Sequence, residues 1–217
     1  MVKNIGYSLI VPYYNEGESI CLTLNEYSRE LEKINCKYEI VIVDDGSKIK
    51  AKNFISDLKI KYFLIEHPKN LGYGSSISTG ILYSKYNNII ITDSDNTYPA
   101  KVLRNMVKSY QENIPCMVVA SREGRNARIP LLRRPPKYFL RKLASYLCSY
   151  DIRDLNSGLR IFKKKFYLKN KRLMPKRFSM TSTLTILAAM NNYEIIYLPS
   201  DYRVRKGNSS ISPIKDT

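Results

Sequence analysis

Carboxylates stand in two tight groups in this sequence, Asp44-Asp45 and Asp93-Ser94-Asp95, and each follows a run of β-branched residues, Ile40-Val41-Ile42-Val43 and Ile89-Ile90-Ile91-Thr92. Burying such a run and ending it on acids costs free energy unless the acids find partners. One aspartate at a strand end can cap the next turn. Two in series at 44 and 45 favour acceptors for a base N–H or a ribose hydroxyl. Asp93 and Asp95 are two residues apart, so an extended chain would project both carboxylates to one side. Such a pair is a hard-oxygen site for Mg2+ or Mn2+, which keeps one or two protein carboxylates and fills its shell with water and diphosphate oxygens. A helix cap ahead of Pro99 would explain one of these aspartates but not both.

Two other segments bear on the same chemistry. In Val11-Pro12-Tyr13-Tyr14-Asn15-Glu16, Pro12 stops a strand and leaves an aromatic face beside a carboxylate, a combination suited to a nucleobase and ribose. Pro and Asn also occur at strand ends for turn reasons alone. Asn70-Leu71-Gly72-Tyr73-Gly74-Ser75-Ser76 opens a predicted helix through Gly80, and glycines with small hydroxyls at a helix N-terminus let backbone N–H groups approach phosphate. No Gly-Lys-Ser/Thr follows, so this is not a Walker loop.

The elements that must position these residues are legible from period. Short β-rich runs at 7–11, 39–43, 62–65, 88–92 and 117–120 alternate with helical patterns at Ser19–Ile34 and 102–110. Strand, helix and strand in repetition predict an α/β fold, a mainly parallel central sheet flanked by helices. Ligands of such sheets bind beyond the carboxyl ends of the strands, where both aspartate groups fall. A chain of 217 residues with 44% hydrophobic content predicts a single domain over 1–217, with a nucleotide-binding half to about 120 and an acceptor-side half from about 121.

The balance of 36 Lys and Arg against 19 Asp and Glu leaves a net charge of +17, which admits nucleic acid, anionic lipid and phosphorylated substrates as partners. Nucleic acid is not expected, since no aromatic stacking platform interleaves with the bases and no recognition motif appears. Cys21, Cys36, Cys116 and Cys148 are widely spaced and His67 is the only histidine, so neither structural zinc nor a disulfide framework is expected. No signal-peptide pattern or stretch of roughly 20 apolar residues is present, and the default setting is cytoplasmic. From 122 to 177 basic residues crowd against only Glu123, Asp151 and Asp154. Within that stretch, 137–150 predicts an amphipathic helix, either packed on the domain with a solvated basic face or lying at an anionic membrane surface.

Six segments in order then resemble family 2 glycosyltransferases, closest to the dolichyl- or polyprenyl-phosphate sugar synthases: Val11 to Glu16, Val43-Asp44-Asp45-Gly46-Ser47, Asn70-Leu71-Gly72, Asp93-Ser94-Asp95, Asp154-Leu155-Asn156-Ser157-Gly158-Leu159-Arg160 and Tyr202-Arg203-Val204-Arg205-Lys206-Gly207. The resemblance implies the GT-A fold, the Rossmann-like fold of nucleotide-diphospho-sugar transferases. It implies that Pro12, Tyr14, Glu16 and Asp45 hold the nucleoside of a UDP- or GDP-sugar, with Asp44, Gly72, Ser94 and Arg160 in the same donor-binding set. Asp93 and Asp95 would be the metal-binding D-x-D. Arg122 would face a donor or acceptor phosphate, and Arg133 or Arg134 with Arg203 and Arg205 would complete an anion-binding wall.

This chain departs from the family pattern at three points. Tyr73 stands where the family often has lysine, and Thr97 where a metal-adjacent glutamine occurs. Residues 178–183 contain no carboxylate, although many family 2 enzymes place an acidic general base at that late helix start. A hydroxyl acceptor needs a base, whereas a phosphate monoester is already anionic near neutral pH. The expected reaction is therefore inverting sugar transfer to a lipid phosphate at the cytoplasmic face of a membrane, by a protein whose relatives continue into membrane-spanning helices. Transfer to a sugar hydroxyl is the alternative within the class, and a non-catalytic nucleotide-binding or nucleic-acid-binding protein the alternative outside it.

Overall fold

A computed structural model of the chain describes residues 5–123 and 134–204, the side chains of 134–137 excepted. Seven strands form one sheet: β1 (Gly6–Tyr13), β2 (Lys37–Asp44), β3 (Phe63–Glu66), β4 (Asn88–Ile91), β5 (Met117–Ser121), β6 (Arg160–Lys163) and β7 (Ile195–Pro199), in the spatial order β3-β2-β1-β4-β6-β5-β7. β1, β2, β3 and β4 pair in parallel, and β5 pairs in parallel with β7. β6 runs antiparallel to both of its neighbours. Because β6 reverses against β4 and again against β5, six strands point the same way and their carboxyl ends share one edge with the start of β6.

The near-continuous apolar character of β1, β2 and β4 follows from burial on both faces. Leu9, Val11, Ile40, Ile42 and Ile90 join one core layer, while Ile10, Val41, Val43, Ile89 and Ile91 join the other. The first layer is closed by α1 (Ser19–Ile34), through Ile20, Leu24, Tyr27 and Leu31, and by α4 (Leu103–Asn113), through Leu103, Met106, Val107 and Tyr110. The second is closed by α3 (Tyr73–Tyr83) and α7 (Met180–Met190), through Ile77, Ile81, Met180 and Leu184. The short helices α2 (Lys52–Ile55) and α6 (Lys164–Asn170) fill connections.

α5 (Arg134–Cys148) begins three residues before the predicted start at 137. Pro135 and Pro136 fall in its first turn, where a missing N–H removes no helical hydrogen bond. Along its described length only Ala144 is buried, whereas Phe139, Tyr146 and Leu147 are 66%, 81% and 71% exposed. No helix among the described residues is long and apolar enough to cross a membrane.

Candidate functional site

Beyond β4 the chain leaves the sheet at Ile91 and turns, with Asn96 in the left-handed region at φ 56°. It does not stay extended through Asp95, which corrects the geometry expected for the D-x-D. The cause is local: Asp95 Oδ1 accepts hydrogen bonds from Thr97 N at 3.1 Å and from Thr97 Oγ1 at 2.7 Å, closing a side-chain-to-backbone turn. Thr97 thus acts on Asp95 itself. The intervening Ser94 is buried, and its carbonyl accepts from Ser19 and Thr23 of α1, so it anchors the turn to the core.

Asp93 sits inside a second set of contacts. Tyr73 Oη donates to Asp93 Oδ1 at 2.9 Å, and the Tyr73 ring stacks on Phe178 with centroids 5.6 Å apart and planes within 14°. Burial first, then the neighbouring Asp93 carboxylate, pushes the Tyr73 phenol well above its ordinary range, so it stays a donor. Gly158 also lies close to Asp93, where any Cβ would overlap the carboxylate.

The segments after β7 and β5 meet this turn. Arg203 N donates to Thr97 O at 2.9 Å, and its Nη1 donates to Asn96 Oδ1 at 2.6 Å and Glu26 Oε1 at 2.9 Å. The Tyr202 ring packs edge-on against Tyr98, centroids 5.1 Å apart, and under the guanidinium of Arg122 at 5.7 Å. Arg122 in turn is bound to Asp154 by its backbone N (3.0 Å), Nε (2.8 Å) and Nη2 (2.6 Å). Burial alone would raise the Asp154 pKa, but the bonds and charge of Arg122 outweigh it and hold the carboxyl below its usual range. Burial works against the Arg122 charge as well, and the surrounding tyrosines and Asp154 more than reverse that, keeping the guanidinium charged. Arg122 is therefore a fixed group, braced between an acid and an aromatic ring.

Several expected donor contacts are placed elsewhere. Asp44 is fully buried and caps the following turn, accepting from Ser47 N and Ala51 N, both at 2.8 Å. Asp45 accepts from Leu71 N at 2.9 Å and Gly72 N at 2.8 Å, and its Oδ1 lies 2.7 Å from His67 Nδ1. The far ring nitrogen, His67 Nε2, is 3.0 Å from Thr79 Oγ1. The carboxylate expected to help hold the nucleoside thus binds its own chain in this structure. The same two N–H groups were expected to face phosphate, as was the start of α3. Ser75 N donates instead to Lys176 O, and Gly72 and Gly74 lack side chains because the carbonyls of Lys176 and Pro175 occupy that space.

Arg160 is the largest correction. It has no exposed surface, and its guanidinium donates to the carbonyls of Ser157 and Thr181 and to Thr185 Oγ1, tying β6 to α7. Burial lowers its pKa, and its place in the structure is a core brace rather than a donor contact. Pro12 is buried in β1, while Tyr14 and Glu16 are half-buried just past the carboxyl end of β1. Arg133 and Arg205 lie outside the described residues, and Arg134 opens α5 with its side chain likewise outside them.

Sequence reasoning gives Tyr73, Tyr98, Tyr202 and His67 no part in the site. His67 is the chain's only histidine and follows β3 directly, a signal that was available. Tyr73 stands out only as a departure from the family pattern and Tyr202 only as a motif member, while Tyr98 carries no mark among 18 tyrosines in the chain.

Asp93 and Asp95 can serve a divalent cation as hard-oxygen donors at the two ends of one turn. Among the described residues no group of three His, Cys, Asp or Glu side chains could close a shell by itself. The donor set therefore fits a cation whose remaining ligands arrive with substrate, as diphosphate oxygens and water. Such an ion would supply charge neutralisation at a departing diphosphate.

The sequence model of "Glycosyl transferase family 2" matches residues 8–186. The uncharacterized glycosyltransferase YkcC of Bacillus subtilis (strain 168) is 28% identical over 181 residues, covering 81% of this chain and 55% of that protein. Dolichyl-phosphate beta-glucosyltransferase ALG5A of Trichomonas vaginalis is 27% identical over 223 residues, 94% of this chain and 68% of that protein. The chain spans about half to two thirds of the length of these relatives. Among solved structures, glucosyl-3-phosphoglycerate synthase from Mycobacterium tuberculosis, in complex with Mn2+, UDP and glucosyl-3-phosphoglycerate, aligns with a TM-score of 0.71 at 14% identity, over 94% of this chain and 73% of that one. The strand order, the placement of the described motif residues along one sheet edge and these likenesses agree: the fold is GT-A, and the chain belongs to glycosyltransferase family 2.

Proposed function

We propose that this chain transfers a sugar from a UDP- or GDP-sugar to a polyprenyl or dolichyl phosphate, in a single inverting displacement that depends on Mg2+ or Mn2+. The observation that carries this reading is the meeting of the Asp93–Asp95 turn with Arg203 and the braced Arg122, beside a helix α7 whose first turn holds no acid. A lipid phosphate oxygen attacks the anomeric carbon as the bond to the nucleoside diphosphate breaks, and the negative charge passes to the leaving diphosphate. Asp93 and Asp95 would hold the cation, which would supply charge neutralisation for that diphosphate. Arg203 and Arg122 are preset positive charges, so little reorganisation is needed as charge develops. An acceptor that is already anionic has no proton to remove, which suits a site without a base on α7. That a relative's name is dolichyl-phosphate beta-glucosyltransferase supports this acceptor class.

The exposed side of α5 supports the same assignment, since Phe139, Leu143, Tyr146 and Leu147 lie on one face with Lys142 at its border. An apolar stripe with basic flanks fits an anionic membrane surface, where such an acceptor resides. The test is a transfer assay with UDP- and GDP-sugars in which polyprenyl phosphate competes against soluble sugars, with and without excess EDTA. Label in the lipid fraction that is lost with EDTA is the expected result. Full activity in EDTA would remove the metal, and preference for a soluble sugar would remove the lipid acceptor.

A further inference from the structure

The Asp93 carboxylate is held close by residues from elements far apart in sequence. Tyr73, the first residue of α3, reaches it with its hydroxyl at 2.9 Å. Gly158 meets it from the segment that leads into β6, where any Cβ would overlap it. Neither partner is loose. Gly158 N donates to Tyr98 Oη at 2.9 Å, and Ser157 Oγ donates to the carbonyl of Ala120 at the end of β5. Tyr73 is stacked on Phe178, two residues before α7, and its helix start is fixed because Gly72 and Gly74 pack against the carbonyls of Lys176 and Pro175.

A carboxylate can rotate about its terminal bond, and each orientation points different lone pairs outward. A hydrogen bond to one oxygen and the close approach of Gly158 to the carboxylate as a whole restrict that rotation. Groups that orient a metal ligand in this way alter metal affinity by about 10- to 100-fold when removed. We infer that Tyr73 is a positioning residue that presets the Asp93 carboxylate for the cation and diphosphate, with Gly158 as its backstop and Phe178 as its support. The inference rests on the proposed role of Asp93 and Asp95. Its content is that the metal end of the donor site depends on the packing of α3 against the start of α7.

The test reads Mn2+ binding by electron paramagnetic resonance in the presence of UDP and, separately, GDP, together with nucleotide affinity in EDTA. The chains compared are the wild type, Tyr73→Phe, Phe178→Leu, Gly158→Ala and Asp95→Asn. Tyr73→Phe keeps the ring and its stack and removes only the hydroxyl. It is expected to weaken Mn2+ binding about 10-fold while nucleotide affinity in EDTA stays at the wild-type value. A merely structural role would lower both together, and that result would overturn the inference. So would unchanged Mn2+ affinity in Tyr73→Phe. Gly158→Ala presses on Asp93 without touching Tyr73 and is expected to weaken Mn2+ as well, so the inference stays exposed even if Tyr73→Phe folds poorly. If the wild type and Asp95→Asn bind Mn2+ equally, or the wild type binds none with either nucleotide, the assignment of Asp93 and Asp95 itself fails and takes the inference with it.

Discussion

One oxygen of Asp95 closes its own turn through Thr97, and one oxygen of Asp93 is held by Tyr73. The two aspartates are thus shaped by the chain before any ligand arrives, which is what preorganised electrostatics requires. Asp95→Asn retains an acceptor for the turn and removes the charge. We expect transfer to fall on the order of 100-fold with a thermal midpoint close to that of the parent chain. Wild-type transfer by Asp95→Asn would take Asp95 out of the site. The Arg122–Asp154 pair makes a second residue-level prediction, because Asp154 has its pKa depressed in the folded state. A depressed carboxyl contributes stability that is complete above its unfolded pKa of about 4 and is lost as pH falls through the lower folded value. Asp154→Asn should flatten that part of the acid limb. At neutral pH it should cost about 3–5 kcal/mol, since Arg122 is left buried without its partner. Denaturant midpoints measured from pH 7 down to pH 2 check both, and parallel curves for the two chains would contradict the assignment.

At the scale of elements, α3 shows how a local rule can mislead. Gly74 lies in a helix, where alanine is intrinsically favoured by about 1 kcal/mol. Its Cβ would overlap the carbonyl of Pro175, so Gly74→Ala should instead destabilise by about 1–3 kcal/mol. A gain in the unfolding midpoint would show that the 175–178 segment does not pack there. The strands to β5, with α1 and α4, were legible because period and β-branched runs follow directly from burial on both faces. β6 was not, since four residues with charged ends, Arg160 to Lys163, make no pattern. β7 has an Ile-Ile-Tyr-Leu run, but it is short and lies outside the strand–helix alternation of the first half. The site motifs were legible as places on the sheet edge, but not as contacts. Whether Asp45 faces a base or the N–H groups of Leu71 and Gly72 is decided by residues 26 and 27 positions away. On α5, Phe139→Glu with Leu147→Glu should lower binding to anionic vesicles at least about 10-fold, a loss of 1.4 kcal/mol, and leave nucleotide binding unchanged. Co-sedimentation that is unaffected would mean this face does not meet lipid.

For the whole molecule, the GT-A sheet gathers the motif residues along its carboxyl edge. β1, β2 and β4 lead into Tyr14, Asp45 and the Asp93–Asp95 turn, while β5, β7 and the entry to β6 bring Arg122, Tyr202, Arg203 and Asp154. The two groups meet where Arg203 bonds Asn96 and Thr97, and a net charge of +17 favours anionic partners. The central claim is that the acceptor nucleophile is a lipid-borne phosphate, and it is tested by supplying labelled UDP- and GDP-sugars with either a polyprenyl phosphate or the matching polyprenol in mixed vesicles containing Mn2+. The account predicts label in the lipid fraction with the phosphate and none above background with the alcohol. Equal labelling of the two, or labelling of the alcohol alone, would contradict it.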